Sequence, residues 1–355
     1  MAEIKNLADS KWFPKKRRTL RRTIPFLLIG LLIFIGYLYL FVDIPEMFST
    51  IQKTDLFYYL LAATVLLIDM LAYSLTWHYF LRPLSINVPF KKTFLIVWVG
   101  IFVEFFVPSE SIGEDASRTY LMTKESGENT GKVVASVLGH RLLSMAVTLI
   151  ALIVCSTSLL ILQSELPALI SNLILLIVVG TAIPLIFILV LCLKRELMHK
   201  LVDLLLRFFV FVSRGRLVLA NLRSKAKKAL NSFHQSIEIL SQNPRSLAHP
   251  VFFSALNYLL SIVVSHLVFV SLGYPVSFVL LTIVYSISRS ISSIPTMLPG
   301  EVGFIEIVMT SLYALLGVPP DISAAATVLI RFLWVWLRLP LGFIAVQWTV
   351  KRGLV

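Results

Sequence analysis

The stretch "FFVPSESIGEDASRTYLMTKESG", residues 105–127, decides how this chain is read. Long runs of Leu, Ile, Val and Phe flank it, yet it holds Glu110, Glu114, Asp115 and Arg118 beside Pro108 and Gly113, two residues poor at continuing a helix. Either it is a loop between spans or it is part of a site.

The surroundings set the frame. The chain has 355 residues, 57% of them hydrophobic and only 14% charged, against about 25% charged in a soluble domain. Runs such as "IPFLLIGLLIFIGYLYLFV" match the ~20 apolar residues that cross a bilayer. This is an all-α polytopic membrane protein. The net charge of +13 has a location. Lys11, Lys15, Lys16, Arg17, Arg18, Arg21 and Arg22 precede the first apolar run, and eleven basic residues lie between Lys194 and Arg245. Cytoplasmic loops of membrane proteins concentrate Lys and Arg in this way. No recognition fold or aromatic platform accompanies the charge, so nucleic acid is not the expected partner. The first run is too long for a signal core and no small-residue cleavage site follows it, so it is expected to remain as a transmembrane helix. Cys155 and Cys192 read as small core residues, and the six histidines lack ligand spacing. Neither a metal nor a cofactor is expected.

Apolar segments fall at roughly 24–42, 56–80, 93–107, 133–162, 168–193, 250–271, 278–297, 301–317 and 323–348. If the N-terminus and the insert 194–249 are both cytoplasmic, an even number of crossings separates them. Five segments lie there, and 93–107 is the shortest. A re-entrant hairpin restores parity and implies a cavity, because irregular backbone at membrane depth must be buried in protein or line water. An ordinary short helix with an outside loop is the alternative. In the insert, Leu219, Leu222, Ala226, Leu230, Phe233, Ile237 and Leu240 share one helical face. That helix either lies on the inner leaflet or packs on the spans.

The chain also repeats itself. Pro108 with "SIGE" and "VVASVLGHRLL" is matched by "LPGEVGFIEI" and "SAAATVLIRFL". Pro108 and Pro299, Ala135 and Ala326, and Val137 and Val328 all differ by 191; Arg141 and Arg331 differ by 190. Three crossings between the copies make them antiparallel, an inverted repeat with two re-entrant helical hairpins and about six to eight transmembrane helices. The expected organisation is a basic cytoplasmic N-terminus (1–23), a first membrane half (24–193) with repeat 93–162, the insert (194–249), and a second half (250–355) with repeat 278–348. A multi-pass cell-membrane location with the N-terminus inside follows.

Pro108, Gly113, Glu114, Arg118 and Arg141, with Pro299, Gly300, Gly303, Glu306 and Arg331, resemble the pattern of the lysylphosphatidylglycerol synthase transmembrane region, or flippase-like, family. The resemblance spans about residues 20 to 350. It implies the lipid-translocating half of such synthases, and the chain's end at Val355 implies that the soluble aminoacyl-transferase domain is absent. It also implies partners: a phospholipid or polyprenyl-phosphate lipid, and a separate glycosyltransferase or lipid-modifying enzyme. The Glu114–Arg118 spacing is one residue longer than the family form, which puts that pairing in question.

Charges inside spans face a cavity or a partner. Arg141 lies about 12 Å along its helix from residue 133, and guanidinium suits phosphate because its planar fork binds two oxygens. Arg141, Arg331, Arg118 and Arg289 are the candidate lipid-phosphate ligands. Glu110, Glu114, Glu301 and Glu306 are their charge partners, with Glu114 and Glu306 positioning Arg141 and Arg331. Pro108, Gly113, Pro299 and Gly303 are the helix breakers. Asp69 reads as a helix-packing hydrogen bond, Arg338 as a snorkelling residue, and Trp77 and Trp334 as anchors or packing. The expected function is translocation of an anionic or modified phospholipid, or a polyprenyl-phosphate lipid, between leaflets. No Gly-rich nucleotide loop is present, so movement is downhill or ion-coupled. The alternatives are a non-catalytic scaffold subunit for a separate lipid-modifying enzyme and, more weakly, an intramembrane enzyme built on Glu110, Glu114 and Asp115; no nucleophile or metal set joins those carboxylates, so a non-enzyme is expected.

Overall fold

The computed structural model describes residues 16–106, 112–162, 168–212, 219–292 and 298–351. All regular structure among them is helical. The helices are α1 (Lys16–Phe41), α2 (Ile44–Gln52), α3 (Leu56–Leu81), α4 (Phe90–Phe106), α5 (Ile112–Ser126), α6 (Thr130–Leu162) and α7 (Ala168–Leu193). After them come α8 (Arg195–Val212), α9 (Leu219–Gln242), α10 (Ala248–Ser271), α11 (Phe278–Ile291), α12 (Phe304–Leu315), α13 (Pro320–Arg331) and α14 (Arg338–Lys351). Within the described residues five stretches are long and apolar enough to cross a bilayer: Leu56–Leu81, Thr130–Ser158, Ser171–Leu193, Pro244–Ser271 and Pro320–Lys351. The α1–α2 pair, bent by 102°, brings the total to as many as six.

Capping explains several boundaries. Asp55 accepts from Phe57 N at 2.8 Å to start α3, and Ser277 accepts from Leu280 N at 3.3 Å to start α11. A short 3₁₀ turn, Pro299–Glu301, precedes α12. Gly303, with φ of 89°, starts α12 in a conformation that Cβ-bearing residues avoid. Gly113, by contrast, lies inside the first turn of α5 and breaks nothing there, because α5 already begins at Ile112. Pro108 and Glu110 lie outside the described residues.

The fold is organised about the antiparallel α3–α10 pair. Asp55 N donates to Ser271 O at 2.7 Å at one end, and Tyr79 stacks on His249 and Phe253 at the other. Helices α4 and α5 form an antiparallel hairpin whose open end is tied by an ion pair between Lys92 and Glu125. Helices α11 and α12 form a second hairpin that opens at the opposite end, where His266 stacks on Phe278 and Phe269 meets Tyr313 edge-on. The two tips meet between these ends, with the Phe105 ring against Gly300, where a Cβ would collide with it. Each hairpin's first arm packs on the long helix of the other half: α4 on α14, with Phe102 against Gly342, and α11 on α6.

Of the two arrangements open for the insert, packing on the spans is the one found for α9. Leu230 and Phe233 are buried with Ala135, Leu142, Leu185 and Cys192 of α6 and α7. At Gly131 the α6 backbone touches the carbonyl of Ala229 so closely that no Cβ fits. The turn 127–129 therefore sits beside the insert, at the open end of the first hairpin.

Candidate functional site

Where the hairpin tips meet lies a cavity of about 330 Å³, walled by α3 to α7 and by α10 to α14. Arg118, Arg141, Arg289, Arg331 and Arg338 all line it, with Asp69, Glu104, Glu114, Asp115 and Glu301. All four candidate phosphate ligands are thus brought to one place from both halves of the chain.

Two ion pairs are built alike. Arg141 Nη1 donates to Asp115 Oδ2 at 3.0 Å. Arg331 Nε donates to Glu306 Oε1 at 2.7 Å, and its Nη2 to the carbonyl of Gly300 at 2.7 Å. The other Glu306 oxygen accepts from Gly303 N at 2.7 Å, fixing the start of α12. In both halves, a carboxylate on the second hairpin arm holds an arginine on the following helix. Asp115 and Glu306 are 191 residues apart, and Arg141 and Arg331 are 190 apart, so the pairs recur at the offset of the sequence repeat.

This corrects one expected pairing. Glu114 faces Arg118, not Arg141: their atoms lie 3.0 Å apart across one turn of α5, and the pairing put in question by its spacing is formed. Successive residues on a helix point about 100° apart, which turns Asp115 to α6 and Glu114 into the hairpin. Gly100 of α4 lets them close up, because a Cβ there would sit 2.8 Å from Glu114 Cγ and 3.0 Å from Arg118 Cγ. Arg118 is 1% exposed. It lies over the Trp77 ring at 4.2 Å and donates to His140 Nδ1 at 2.9 Å, while Tyr73 donates to Glu114 at 3.0 Å. A guanidinium cannot accept, so His140 Nδ1 is the acceptor and Nε2 carries the proton.

Two further expectations change. Arg338 is no snorkelling residue. It lies over Trp334 at 4.1 Å and approaches Asp69 Oδ2 at 3.5 Å. Asp69 joins the α3–α10 pair as expected, accepting from Asn257 at 2.7 Å and Ser261 at 2.9 Å. A π-helical turn, Phe332–Leu337, separates Arg331 from Arg338 and leaves both on the cavity. Glu301, expected as an arginine partner, instead accepts from Ser292 Oγ at 2.6 Å and makes no ion pair with a described residue. Arg289 donates to Tyr285 at 3.3 Å. Cys155 and Cys192 are free thiols.

The family model of the lysylphosphatidylglycerol synthase TM region matches residues 27–342. The chain belongs to this family. It is similar to UPF0104 membrane proteins along most of its length. That of Pyrococcus horikoshii is 25% identical over 85% of this chain and 90% of the relative. That of Methanothermobacter thermautotrophicus is 25% identical over 85% and 88%, and that of Methanocaldococcus jannaschii 26% over 92% and 94%. For this member of the lysylphosphatidylglycerol synthase TM-region family, the residues missed from sequence are Asp115 as the Arg141 partner, and Tyr73, His140, Asn257 and Ser261. Their signals were faint: Tyr73 falls one turn after Asp69, His140 precedes Arg141, and Asn257 and Ser261 are one turn apart on an apolar helix.

Proposed function

We propose that this protein translocates a lipid with a phosphate-bearing headgroup, an anionic or modified phospholipid or a polyprenyl-phosphate lipid, between the leaflets of the cell membrane. One observation carries this reading: five arginines from both halves converge on one largely apolar cavity between two oppositely directed hairpins. A volume of about 330 Å³ falls at the low end of the ~300–1,000 Å³ typical of small-ligand sites, enough for a headgroup whose chains stay in lipid. Arg141, whose side chain is 32% exposed, offers its remaining N–H groups to phosphate oxygens. The hairpins enter the bilayer from opposite faces as halves of an inverted repeat, with the N-terminus and the insert cytoplasmic, so rocking one half against the other opens the cavity alternately. The protein works by binding and movement, with no bond made or broken.

The test is leaflet exchange of fluorescent phospholipids in liposomes carrying the purified protein. Exchange is expected to fall in Arg141→Ala and in Arg331→Lys variants that fold normally. Undiminished exchange in both would falsify the phosphate site, and no exchange across many lipids would favour the scaffold function.

A further inference from the structure

The charges around the cavity do not cancel. Five arginines and five carboxylates line it, and Glu306, bonded to Arg331, is a sixth carboxylate. The count is thus six negative charges against five positive. The sequence stretches 107–111 and 293–297, outside the described residues, contain no lysine or arginine, and their one charged residue is Glu110. Glu114, Asp115, Glu306 and Asp69 each face an arginine. Glu301 does not. Its Oε2 accepts from Ser292, and its Oε1 is shielded from solvent with no hydrogen-bond partner. The residue is also held at φ 53°, a left-handed conformation that a non-glycine residue keeps only where the surroundings enforce it.

Glu301 is half-buried, but a carboxylate oxygen shut off from solvent with neither a hydrogen bond nor a counter-charge draws whatever cation can reach it. Resting on the lipid-translocation reading, we propose that Glu301 is the binding site of a monovalent cation, a proton or Na⁺, that accompanies the phosphate through the cavity. The electrostatics require a companion. A phosphate brings at least one more negative charge to a wall already one short of balance, and a cation on Glu301 offsets it. Ser292 Oγ, which donates a hydrogen bond to the other carboxylate oxygen, supplies a neutral oxygen beside the site. The charged groups nearest the tip on the surrounding elements are Glu104 on α4, Arg289 on α11, Glu306 on α12 and Arg331 on α13; α1 carries none between Arg22 and Phe41.

The experiment is thermal unfolding of the purified full chain in detergent without added phospholipid. NaCl is compared with choline chloride at equal ionic strength, and each is followed from alkaline to mildly acidic pH. Binding to the folded state raises Tm with cation concentration, so wild type is expected to gain about 2 °C or more with Na⁺ or with falling pH. Glu301→Gln, which keeps an acceptor for Ser292, loses that gain. Ser292→Ala keeps the carboxylate and retains a gain. A Na⁺ response removed by Glu301→Gln identifies sodium, and a pH response so removed identifies the proton. Wild type indifferent to both, or a response surviving in Glu301→Gln, overturns the proposal. The readout involves no lipid transport, so its failure is separable from failure of the leaflet-exchange test.

Discussion

Arg141 and Arg331 occupy equivalent places in the two halves, yet their removal is expected to fail in different ways. The Asp115–Arg141 pair is partly open, with side chains 27% and 32% exposed. A pair that opens onto a cavity gains less than a closed one, about 1 kcal/mol where water reaches it. Glu306–Arg331 is closed, at 8% and 16% exposed. Arg331→Ala leaves Glu306 buried without its cation and also frees the Gly300 carbonyl. Breaking a buried pair from one side costs about 3–5 kcal/mol. Unfolding of the purified variants in detergent, scored beside leaflet exchange, separates the two cases. Arg141→Ala is expected to retain nearly wild-type stability and lose exchange, whereas Arg331→Ala loses stability first. Adding Glu306→Gln to Arg331→Ala removes the stranded charge and is expected to recover at least about 1 kcal/mol, a coupling that a double-mutant cycle resolves. Equal stability losses at the two arginines, or strictly additive effects at 306 and 331, would refute this division between an open and a closed pair.

Other expectations follow from single contacts. Gly131→Val places a side chain where Ala229 O already sits, so α9 is expected to detach from α6 and become protease-sensitive while the spans remain folded. A cysteine at Asn129 is expected to label from the same face of the membrane as one at Lys228 in the insert, and from the opposite face to one at Ser277. Arg118→Lys is expected to destabilise by about 1–3 kcal/mol despite keeping its charge, because an ammonium cannot span Glu114 and His140 in the fixed geometry of the guanidinium fork. Chemical or thermal unfolding of Arg118→Lys beside Arg118→Met checks this.

How much of the fold is legible in the sequence depends on the reach of each signal. Hydropathy is local and long-lived, so the spans and the short arms around 93–107 and 278–317 were legible. Charge placement gave the insert, and the 3.6-residue period gave α9. The repeat offset brought Arg141 and Arg331 together because it compares distant positions directly. Pairing within the site was less legible. Glu114 and Asp115 are adjacent, and only the direction in which α5 presents them decides which one reaches Arg141. That direction depends on the close approach at Gly100, which sequence spacing does not contain. Asp69 meets Asn257 and Ser261 across 188 and 192 residues, a separation over which no periodicity carries information. The offset did hold the answer for Asp115, since 306 less 115 is the same 191 that relates the prolines. It was masked by the neighbouring "GE" match, which aligns motifs by letter. The carboxylate that matters is the one whose helical phase points at the following helix, and that is a physical criterion for comparing duplicated membrane halves: side chains should be matched by direction before they are matched by identity.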